Sequence, residues 1–330
     1  MAVPPQYFDL ITMGRTGVDL YPPETGVPSA RVETFGKFLG GSAANVAAAA
    51  ARTGRSAAVV TRTGEDPFGA FPHEAPKESG VDDRRATPVP AHPTPPTFRE
   101  LLPPDDFPLW FYRRPGAPDL EIRADDLDLA AVRAAGILRS TGAGPSEEPG
   151  RSATLAAPKA RDRRGTTVFD PDRRPMSRRD PGRARPYHRE APRHATVAGG
   201  DLDECEVAAG ARGPGACAGA PPAAGVEPAV VKRGPKGVPA VHRGGTRAEA
   251  PPVPVEVVDG LGVGDAFGGS LRHGPLSGRD LERTMRHANA AGAVVASRLA
   301  CSPAVPTGPE VADLLARAVP PDAAGLPSQP

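Results

Sequence analysis

Residues 36–64 read GKFLGGSAANVAAAAARTGRSAAVVTRTG, and this stretch decides the fold. A glycine-rich turn leads into an alanine-rich run that has Ser42 as a candidate cap and ends at Gly54, which predicts a helix. The segment AAVVTRTG at 57–64 predicts a buried strand, as does YFDLITMG at 7–14. Strand, turn, helix and strand in this order are the unit of a parallel sheet that is covered by helices.

The rest of the chain continues this alternation. Strands are predicted at TTVFD (166–170), ATVAG (195–199) and PAVVKRGPKGV (228–238), and a glycine-rich turn that opens a helix is predicted at 258–271. Residues 97–114 contain two strand-like runs around a PPDD turn, which predicts a hairpin outside the main core. The sequence therefore predicts an α/β protein.

Composition and charge restrict the function classes. The 330 residues carry 40 Lys and Arg against 39 Asp and Glu, so a nucleic acid is not the expected partner. The chain shows no export signal and no run of about 18 apolar residues, so no membrane association is expected. Its three cysteines are an odd number without CxxC spacing, which favours a cytoplasmic location and argues against a zinc site.

The strongest chemical motif is Gly262-Val263-Gly264-Asp265 at the start of a predicted helix. Backbone amides at a helix N-terminus attract anionic oxygen, so this turn is a candidate anion hole. A carboxylate beside it is well placed to accept the proton of an attacking hydroxyl group. The alternative interpretation of Asp265 is an ordinary helix cap.

A second glycine cluster, GGSAAN at 40–45, lies at the opposite end of the chain, and no GxxxxGK[ST] motif occurs. Together the two clusters resemble the signatures of the PfkB, or ribokinase-like, family of sugar kinases. The resemblance implies a three-layer α/β/α sandwich with a small β lid, and a possible homodimer. It also implies one kinase domain over residues 1–318, with lid segments at about 15–38 and 97–114, and a disordered tail at 319–330.

Within this family the chain is most similar to the 5-dehydro-2-deoxygluconokinases of myo-inositol breakdown. The phrases that carry this similarity are FDLITMGRTGVDLYP, FGKFLGGSAANVA, TRTGEDPFG, PPDDFPLWFYRRPGAPDLEI, DLDECEVA, VVKRGPKGV and GLGVGDAFGG. The implied reaction is ATP- and Mg²⁺-dependent phosphorylation of the primary hydroxyl of 5-dehydro-2-deoxy-D-gluconate. Three alternatives stay open: a kinase for ketodeoxygluconate, fructose or ribose, a catalytically silent relative that binds sugar or nucleotide, and a decayed chain that hardly folds.

The resemblance also assigns roles to individual residues. The residues implied to carry catalysis are Asp265 as the base and Gly262, Val263 and Gly264 as amide donors. Those implied to bind the sugar are Asp19, Gly40, Gly41 and Asn45, and those implied to bind its carboxylate are Tyr112, Arg113 and Arg174. Asp and Asn side chains suit hydroxyl groups, and the planar guanidinium of Arg suits a carboxylate.

On the nucleotide side, the implied ATP-binding residues are Lys232, Gly234, Gly237, Asp201 and Glu204, with Glu204 also near Mg²⁺. Asp201 replaces the asparagine of the family's Asn-x-x-Glu motif, which adds negative charge beside the triphosphate. Asp259 and the loop around residues 300–301 stand where many relatives bind a monovalent cation such as K⁺, although Asp259 could equally cap a strand end.

Two further features depart from the family pattern. Pro72 and Pro76 fall where a helix is expected, and an interior proline removes a backbone donor, so the sequence predicts a break there. Arg139 stands where an apolar or small residue is expected.

Overall fold

The structure is a computed structural model that describes residues 7–103, 106–142, 147–172, 184–209, 213, 229–232, 238–241, 247–276, 280–299 and 301–318. The strands within these ranges are β1 Leu10–Met13, β2 Gly17–Tyr21, β3 Gly36–Gly40, β4 Ala57–Gly64, β5 Val81–Asp82, β6 Ala86–Val89, β7 Pro96–Arg99, β8 Leu109–Phe111, β9 Ile137–Thr141, β10 Thr166–Asp170, β11 Val197–Asp201, β12 Ala229–Lys232, β13 Val238–Val241 and β14 Arg247–Ala250. The helices are α1 Ser42–Arg52, α2 Pro67–Glu78, α3 Leu129–Ala134, α4 Gly150–Arg161, α5 Ala184–Glu190, α6 Leu202–Ala209, α7 Val263–Leu276, α8 Leu281–Ala296 and α9 Gly308–Ala318.

The larger sheet has the strand order β14-β13-β12-β11-β10-β9-β1-β4-β5, and β6 pairs with β4. Strands from β5 to β12 along this order pair in parallel, whereas β13 and β14 are antiparallel additions at one edge. The first strand of the chain therefore lies in the interior of the sheet. The carboxyl ends of its parallel neighbours meet at one edge, which is where ligands bind in open α/β sheets.

The alternation of side chains along β1 shows that helices cover both faces of this sheet. Leu10 packs in a buried cluster with Val46 of α1. Its neighbour Ile11 points to the opposite face and packs with Val132 of α3 and Ala153 of α4. The predicted α/β/α layering is confirmed, and it has the physical cause that successive strand residues alternate between two apolar layers.

A second sheet of four strands, β3-β2-β7-β8, forms the lid. β2 pairs antiparallel with β3 and parallel with β7, and β7 pairs antiparallel with β8. The hairpin predicted at 97–114 is confirmed by the last of these pairings. The division of the chain at residue 318 stays a prediction, because 319–330 lie outside the described residues.

The predicted break at the two prolines is wrong. Helix α2 runs without interruption from Pro67 to Glu78 and so passes through Pro72 and Pro76. Pro67 takes the first helical position, where the missing amide costs nothing. Pro72 is buried, and removal of its apolar ring from water favours the helix despite the lost hydrogen bond. None of the described helices combines the length and the apolar character that a membrane span requires.

Candidate active site

The candidate site is a pocket between the carboxyl edge of the large sheet and the lid. Side chains from both sheets and from the starts of α1 and α7 face it. The lining residues are Arg15, Asp19, Gly41, Ser42, Asn45, Thr97, Phe111, Arg113, Thr141, Asp172, Leu261 and Asp265. The two distant glycine-rich turns of the sequence therefore meet in space at one pocket.

The turn before α7 places Asp265 at this pocket. Gly262 has a φ of +79°, a backbone conformation that residues with a side chain rarely adopt. Its carbonyl oxygen accepts the first hydrogen bond of the helix from the amide of Ala266 at 2.8 Å. A Cβ at Gly262 would also come within 3.0 Å of the Cβ of Cys301. Helix α7 starts at Val263, so the amides of Val263 and Gly264 are free to face an anion and Asp265 lies in the first turn.

Both carboxylate oxygens of Asp265 are held by the other glycine-rich turn. The hydroxyl of Ser42 donates to Oδ1, and the side-chain amide of Asn45 donates to Oδ2 at 3.0 Å. Asn45 is fixed in turn by Ser302, whose hydroxyl donates to its Oδ1 at 2.5 Å. Ser42 does not cap α1, because Gly41 occupies the cap position and the serine hydroxyl points to Asp265 instead.

A buried arginine, Arg139, lies directly behind Ser42 and Asp265. Arg139 is 0% exposed, and its Nη2 atom donates to Ser42 at 2.7 Å and to Asp170 at 2.8 Å. The same nitrogen lies 3.7 Å from Oδ1 of Asp265. Burial acts to lower the pKa of Arg139, but Asp170 and Asp265 outweigh it and raise that pKa, so the guanidinium stays charged. The structure accommodates this departure from the expected apolar or small residue because Asp170 and Asp265 offset the buried charge of Arg139.

The acceptor side of the pocket contains Asp19 of β2. The carboxylate is 3% exposed, and a Cβ at Gly40 would overlap it, so only glycine leaves room on the paired strand. Burial raises the pKa of Asp19, the neighbouring charge of Asp265 adds to the rise, and Arg15 opposes it. Arg15 donates to Asp19 at 3.3 Å and to the hydroxyl of Thr97 at 2.6 Å.

The residues implied to bind a carboxylate have different positions. Arg113 lines the pocket, is 5% exposed and pairs with the buried Asp119 at 2.9 Å. Tyr112 is 64% exposed and is not among the lining residues. Arg174 lies outside the described residues.

On the nucleotide side, Asp201 and Glu204 bind each other at the start of α6. The backbone amide of Asp201 donates to the Glu204 carboxylate at 2.9 Å, and the amide of Glu204 donates to the Asp201 carboxylate at 2.8 Å. This is a reciprocal capping arrangement. Lys232 ends β12, whereas Gly234 and Gly237 lie outside the described residues.

Asp259 is fully buried ahead of the α7 turn. Its Oδ1 atom accepts hydrogen bonds from Arg99 of β7, at 3.0 Å from Nε and 2.7 Å from Nη2. The amide of Leu261 donates to the same oxygen at 3.0 Å. Nearby, the hydroxyl of Tyr21 and the thiol of Cys301 are 3.0 Å apart, and burial raises the pKa of each well above its ordinary value.

Sequence reasoning missed several of these residues. Arg15 directly follows the first strand and precedes Asp19 by four residues, so its place at a carboxyl strand end was a usable signal. Arg139 was singled out only as a departure from the family pattern and was not assigned to the site. Thr97 and Phe111 gave no such signal, because only the folding of the lid brings them over the pocket.

Comparison with known proteins identifies the family of this chain. The sequence model of the "pfkB family carbohydrate kinase" matches residues 8–308. A 5-dehydro-2-deoxygluconokinase from Photobacterium profundum is 32% identical over 91% of this chain and 92% of its own length. One from Shouchella clausii is 30% identical over 93% of this chain and 95% of its own length.

The fold is also similar to that of solved structures. A ribokinase II from E. coli, solved in complex with ATP and Mg²⁺, superposes with a TM-score of 0.86 at 21% sequence identity. The match covers 94% of this chain and 99% of the other. The family resemblance inferred from the two glycine clusters is confirmed, and this chain belongs to the pfkB family of carbohydrate kinases, which are phosphotransferases that act on a sugar acceptor.

Proposed function

We propose that this chain transfers the γ-phosphoryl group of Mg·ATP to the primary hydroxyl of a sugar acid, 5-dehydro-2-deoxy-D-gluconate. The observation that carries the proposal is the position of Asp265, which the opposite glycine-rich turn holds by both oxygens at the start of a helix. The same pocket contains Arg15 and Arg113, and cationic side chains suit an acidic acceptor. The similarity to relatives named 5-dehydro-2-deoxygluconokinase supports this choice of substrate.

In the proposed step, the acceptor oxygen forms a bond to the γ-phosphorus while its proton passes to the carboxylate of Asp265. The bond between that phosphorus and the β–γ bridging oxygen breaks, and ADP leaves. Each carboxylate oxygen has two lone pairs, so the bonds from Ser42 and Asn45 leave one on each for the substrate proton. The amides of Gly262, Val263 and Gly264 stabilise the charge that develops on the transferred group.

The acceptor is held on the lid side of the pocket. Asp19 accepts hydrogen bonds from sugar hydroxyl groups, and Gly40 and Gly41 leave the space that the sugar needs. The carboxylate of the acceptor binds to the guanidinium of Arg113, which lines the pocket. Tyr112 and Arg174 remain predicted contributors to this grip. Asn45 acts on the sugar in addition to holding Asp265.

The nucleotide lies against the ends of β11 and β12. Lys232, Gly234 and Gly237 are proposed to contact its phosphates, and Asp201 with Glu204 lies beside the metal that ATP brings. The described residues contain no cluster of three or more His, Cys, Asp or Glu that could enclose a metal ion. Mg²⁺ keeps several waters and is held mainly by phosphates and one or two carboxylates, a role that Glu204 and Asp201 would fill. When bound, Mg²⁺ neutralises charge on the triphosphate.

The proposal is tested by incubating the full chain with Mg·ATP and a panel of acceptors while ADP release and product mass are measured. The panel contains 5-dehydro-2-deoxy-D-gluconate, ketodeoxygluconate, gluconate, fructose and ribose. The expected result is a kcat/KM for the first compound at least tenfold above that for each neutral sugar. A preference for fructose or ribose would assign the chain to a neutral sugar instead.

One observation favours a second candidate, a relative that binds a sugar acid without transferring phosphate. The backbone amides of Asp201 and Glu204 each bind one oxygen of the other residue's carboxylate, so one oxygen of each carboxylate is engaged before a metal binds. In that case calorimetry would detect binding of the sugar acid, but no ADP would form with any acceptor. Cooperative thermal unfolding of the purified chain would exclude the alternative that it hardly folds.

A further inference from the structure

A buried ion pair connects the lid to the turn that opens α7. Arg99 is the last residue of lid strand β7, and two of its nitrogens contact Oδ1 of Asp259 at 2.7 and 3.0 Å. The side chain of Arg99 is 5% exposed and that of Asp259 is 0% exposed. A lid residue therefore supplies a positive charge deep inside the protein, immediately ahead of the proposed anion hole.

Asp259 fixes the shape of this turn. Its Oδ1 atom also accepts a hydrogen bond from the amide of Leu261, directly before Gly262. The backbone amide of Asp259 donates to the carbonyl oxygen of Ala296, which ends α8. The carboxylate of Asp259 thus joins the lid to the turn that begins α7, and its backbone amide joins that turn to the end of α8. A change in its charge balance would displace the amides that face the phosphoryl group.

The guanidinium of Arg99 is held from more than one direction. Its remaining terminal nitrogen, Nη1, donates to the carbonyl oxygen of Phe107 on the lid hairpin. The group also lies over the ring of Phe107, 5.3 Å from its centre. A planar cation that is bound in this way is a fixed charge and not a mobile one.

The residues around Asp259 do not fit an additional monovalent cation. The single negative charge is already balanced by Arg99, and a second cation at the free Oδ2 atom would lie beside that guanidinium. Two polar side chains nearby, the Tyr21 hydroxyl and the Cys301 thiol, are kept neutral by burial. Neither of these two neutral groups supplies a negative charge that would offset the repulsion between Arg99 and a second cation.

We propose that Arg99 is the built-in cation of the α7 turn and that it replaces the free monovalent cation implied by the family resemblance. Arg99 is then a positioning residue, because it acts on the anion hole through Asp259 and does not touch the substrate. The geometry of the catalytic turn depends on the closed lid strand and not on the K⁺ concentration. The effect on turnover rests on the proposed kinase activity, whereas the effect on folding does not.

The first test compares K⁺ with tetramethylammonium at 100 mM and constant ionic strength, using the full wild-type chain. Two quantities are measured: the midpoint of thermal unfolding and the rate of ADP release with Mg·ATP and the sugar acid. We expect K⁺ to change the midpoint by less than 1 °C and the rate by less than twofold. A selective rise of the midpoint by 3 °C or more, or a fivefold gain in rate, would overturn the proposal.

The second test uses Arg99→Met, which removes the charge and leaves Asp259 unpaired. We expect K⁺ to raise the unfolding midpoint of this variant by several degrees over tetramethylammonium, and to restore part of the lost rate. The double variant Arg99→Met/Asp259→Asn removes both charges and is expected to lose this response to K⁺. If the unfolding midpoint of Arg99→Met is the same in K⁺ and in tetramethylammonium, the proposal is contradicted.

Arg85→Met is the matched control, because Arg85 also pairs with an acid, Asp128, at 2.7 Å. Its unfolding midpoint is expected to be the same in both salts. If Arg99→Met fails to fold, the wild-type comparison and the double variant still decide the question. If no ADP forms in any salt, the proposed activity fails, while the thermal measurements continue to test the inference.

Discussion

The hydroxyl of Ser42 donates a hydrogen bond to the carboxylate of Asp265, although the two residues lie 223 positions apart in the chain. This contact joins the two glycine-rich turns at the carboxyl edge of the sheet. It also connects Asp265 to Arg139, which donates to the same serine from behind. The orientation of the proposed base therefore depends on a network that runs through α1 and β9.

Replacement of the proposed base should remove turnover and spare binding. We expect Asp265→Asn to lower kcat by a factor of about 10² to 10⁴, because the acceptor loses its general base while the amide keeps the shape of the carboxylate. Calorimetry should give dissociation constants for nucleotide and sugar acid within threefold of wild type. Glu282→Gln, an exposed acid in the first turn of α8, is the control and should leave kcat unchanged. Unchanged turnover in Asp265→Asn would remove it from the role of base.

Loss of the serine contact should have a smaller effect. Ser42→Ala removes a hydrogen bond to a charged group, worth about 1.5 to 3 kcal/mol, so kcat is expected to fall roughly 10- to 100-fold. Steady-state kinetics measures this, and KM for ATP should stay within twofold. Ser297→Ala serves as a control, because the hydroxyl of Ser297 donates a hydrogen bond to the carbonyl oxygen of Val294 at the end of α8. Equal kcat values for the two variants would show that Ser42 does not position Asp265.

The buried pair of Arg139 and Asp170 should behave as a unit in unfolding. Arg139→Met removes the guanidinium that balances the buried charge of Asp170, so the free energy of unfolding is expected to fall by about 3 to 5 kcal/mol. The double variant Arg139→Met/Asp170→Asn should recover part of this loss, because the buried charge of Asp170 is removed together with that of Arg139. Urea unfolding of the four proteins measures the coupling. Strictly additive losses would contradict the assignment of a coupled pair.

The negative charge of Asp19 should lower the stability of the folded state while its carboxylate contributes to binding of the sugar acid. Burial raises its pKa, so the folded state holds a proton more tightly than the unfolded state, and ionisation of Asp19 reduces stability as the pH rises. At pH 7, Asp19→Asn is therefore expected to raise the unfolding midpoint by about 1 to 3 °C. The same change should raise KM for the sugar acid at least tenfold, because an acceptor of hydroxyl protons is lost. A lowered midpoint together with an unchanged KM would contradict both statements.

Glu310, in the first turn of α9, should make a pH-dependent contribution to the stability of the folded state. Hydrogen bonds from Thr307 and Arg298 lower the pKa of Glu310 to about 2, so its stabilising effect is complete above the ordinary value of 4.5 and is lost as the pH falls toward 2. The side chain is 41% exposed, so solvent screening keeps the effect to about 1 kcal/mol or less.

We therefore expect Glu310→Gln to lower the unfolding midpoint by about 1 to 2 °C at pH 7 and by less at pH 3. Thermal scans at several pH values measure this difference. Asp313→Asn, an exposed acid on the same helix, controls for the change in net charge. A gap between Glu310→Gln and wild type that widens at low pH would contradict the prediction.

The bounds of a strand were predicted best where a single hydrophobic pattern, without a proline, covered the whole strand. The strands β4 and β10 cover Ala57–Gly64 and Thr166–Asp170, the same bounds that β-branched runs and closing polar residues predict. The break predicted at Pro72 and Pro76 is wrong, and burial of Pro72 in the tertiary structure helps to outweigh its unfavourable local effect.

The sequence by itself determined the α/β layering and the two glycine-rich turns, because side-chain periodicity and glycine content act on the chain locally. Only the tertiary structure decided that Ser42 and Arg139 stand behind Asp265, and that Arg99 reaches Asp259 from the lid. The physical reason is that burial of a charge is tolerated only when another segment brings a compensating group. No periodicity in the sequence encodes which distant segment that is.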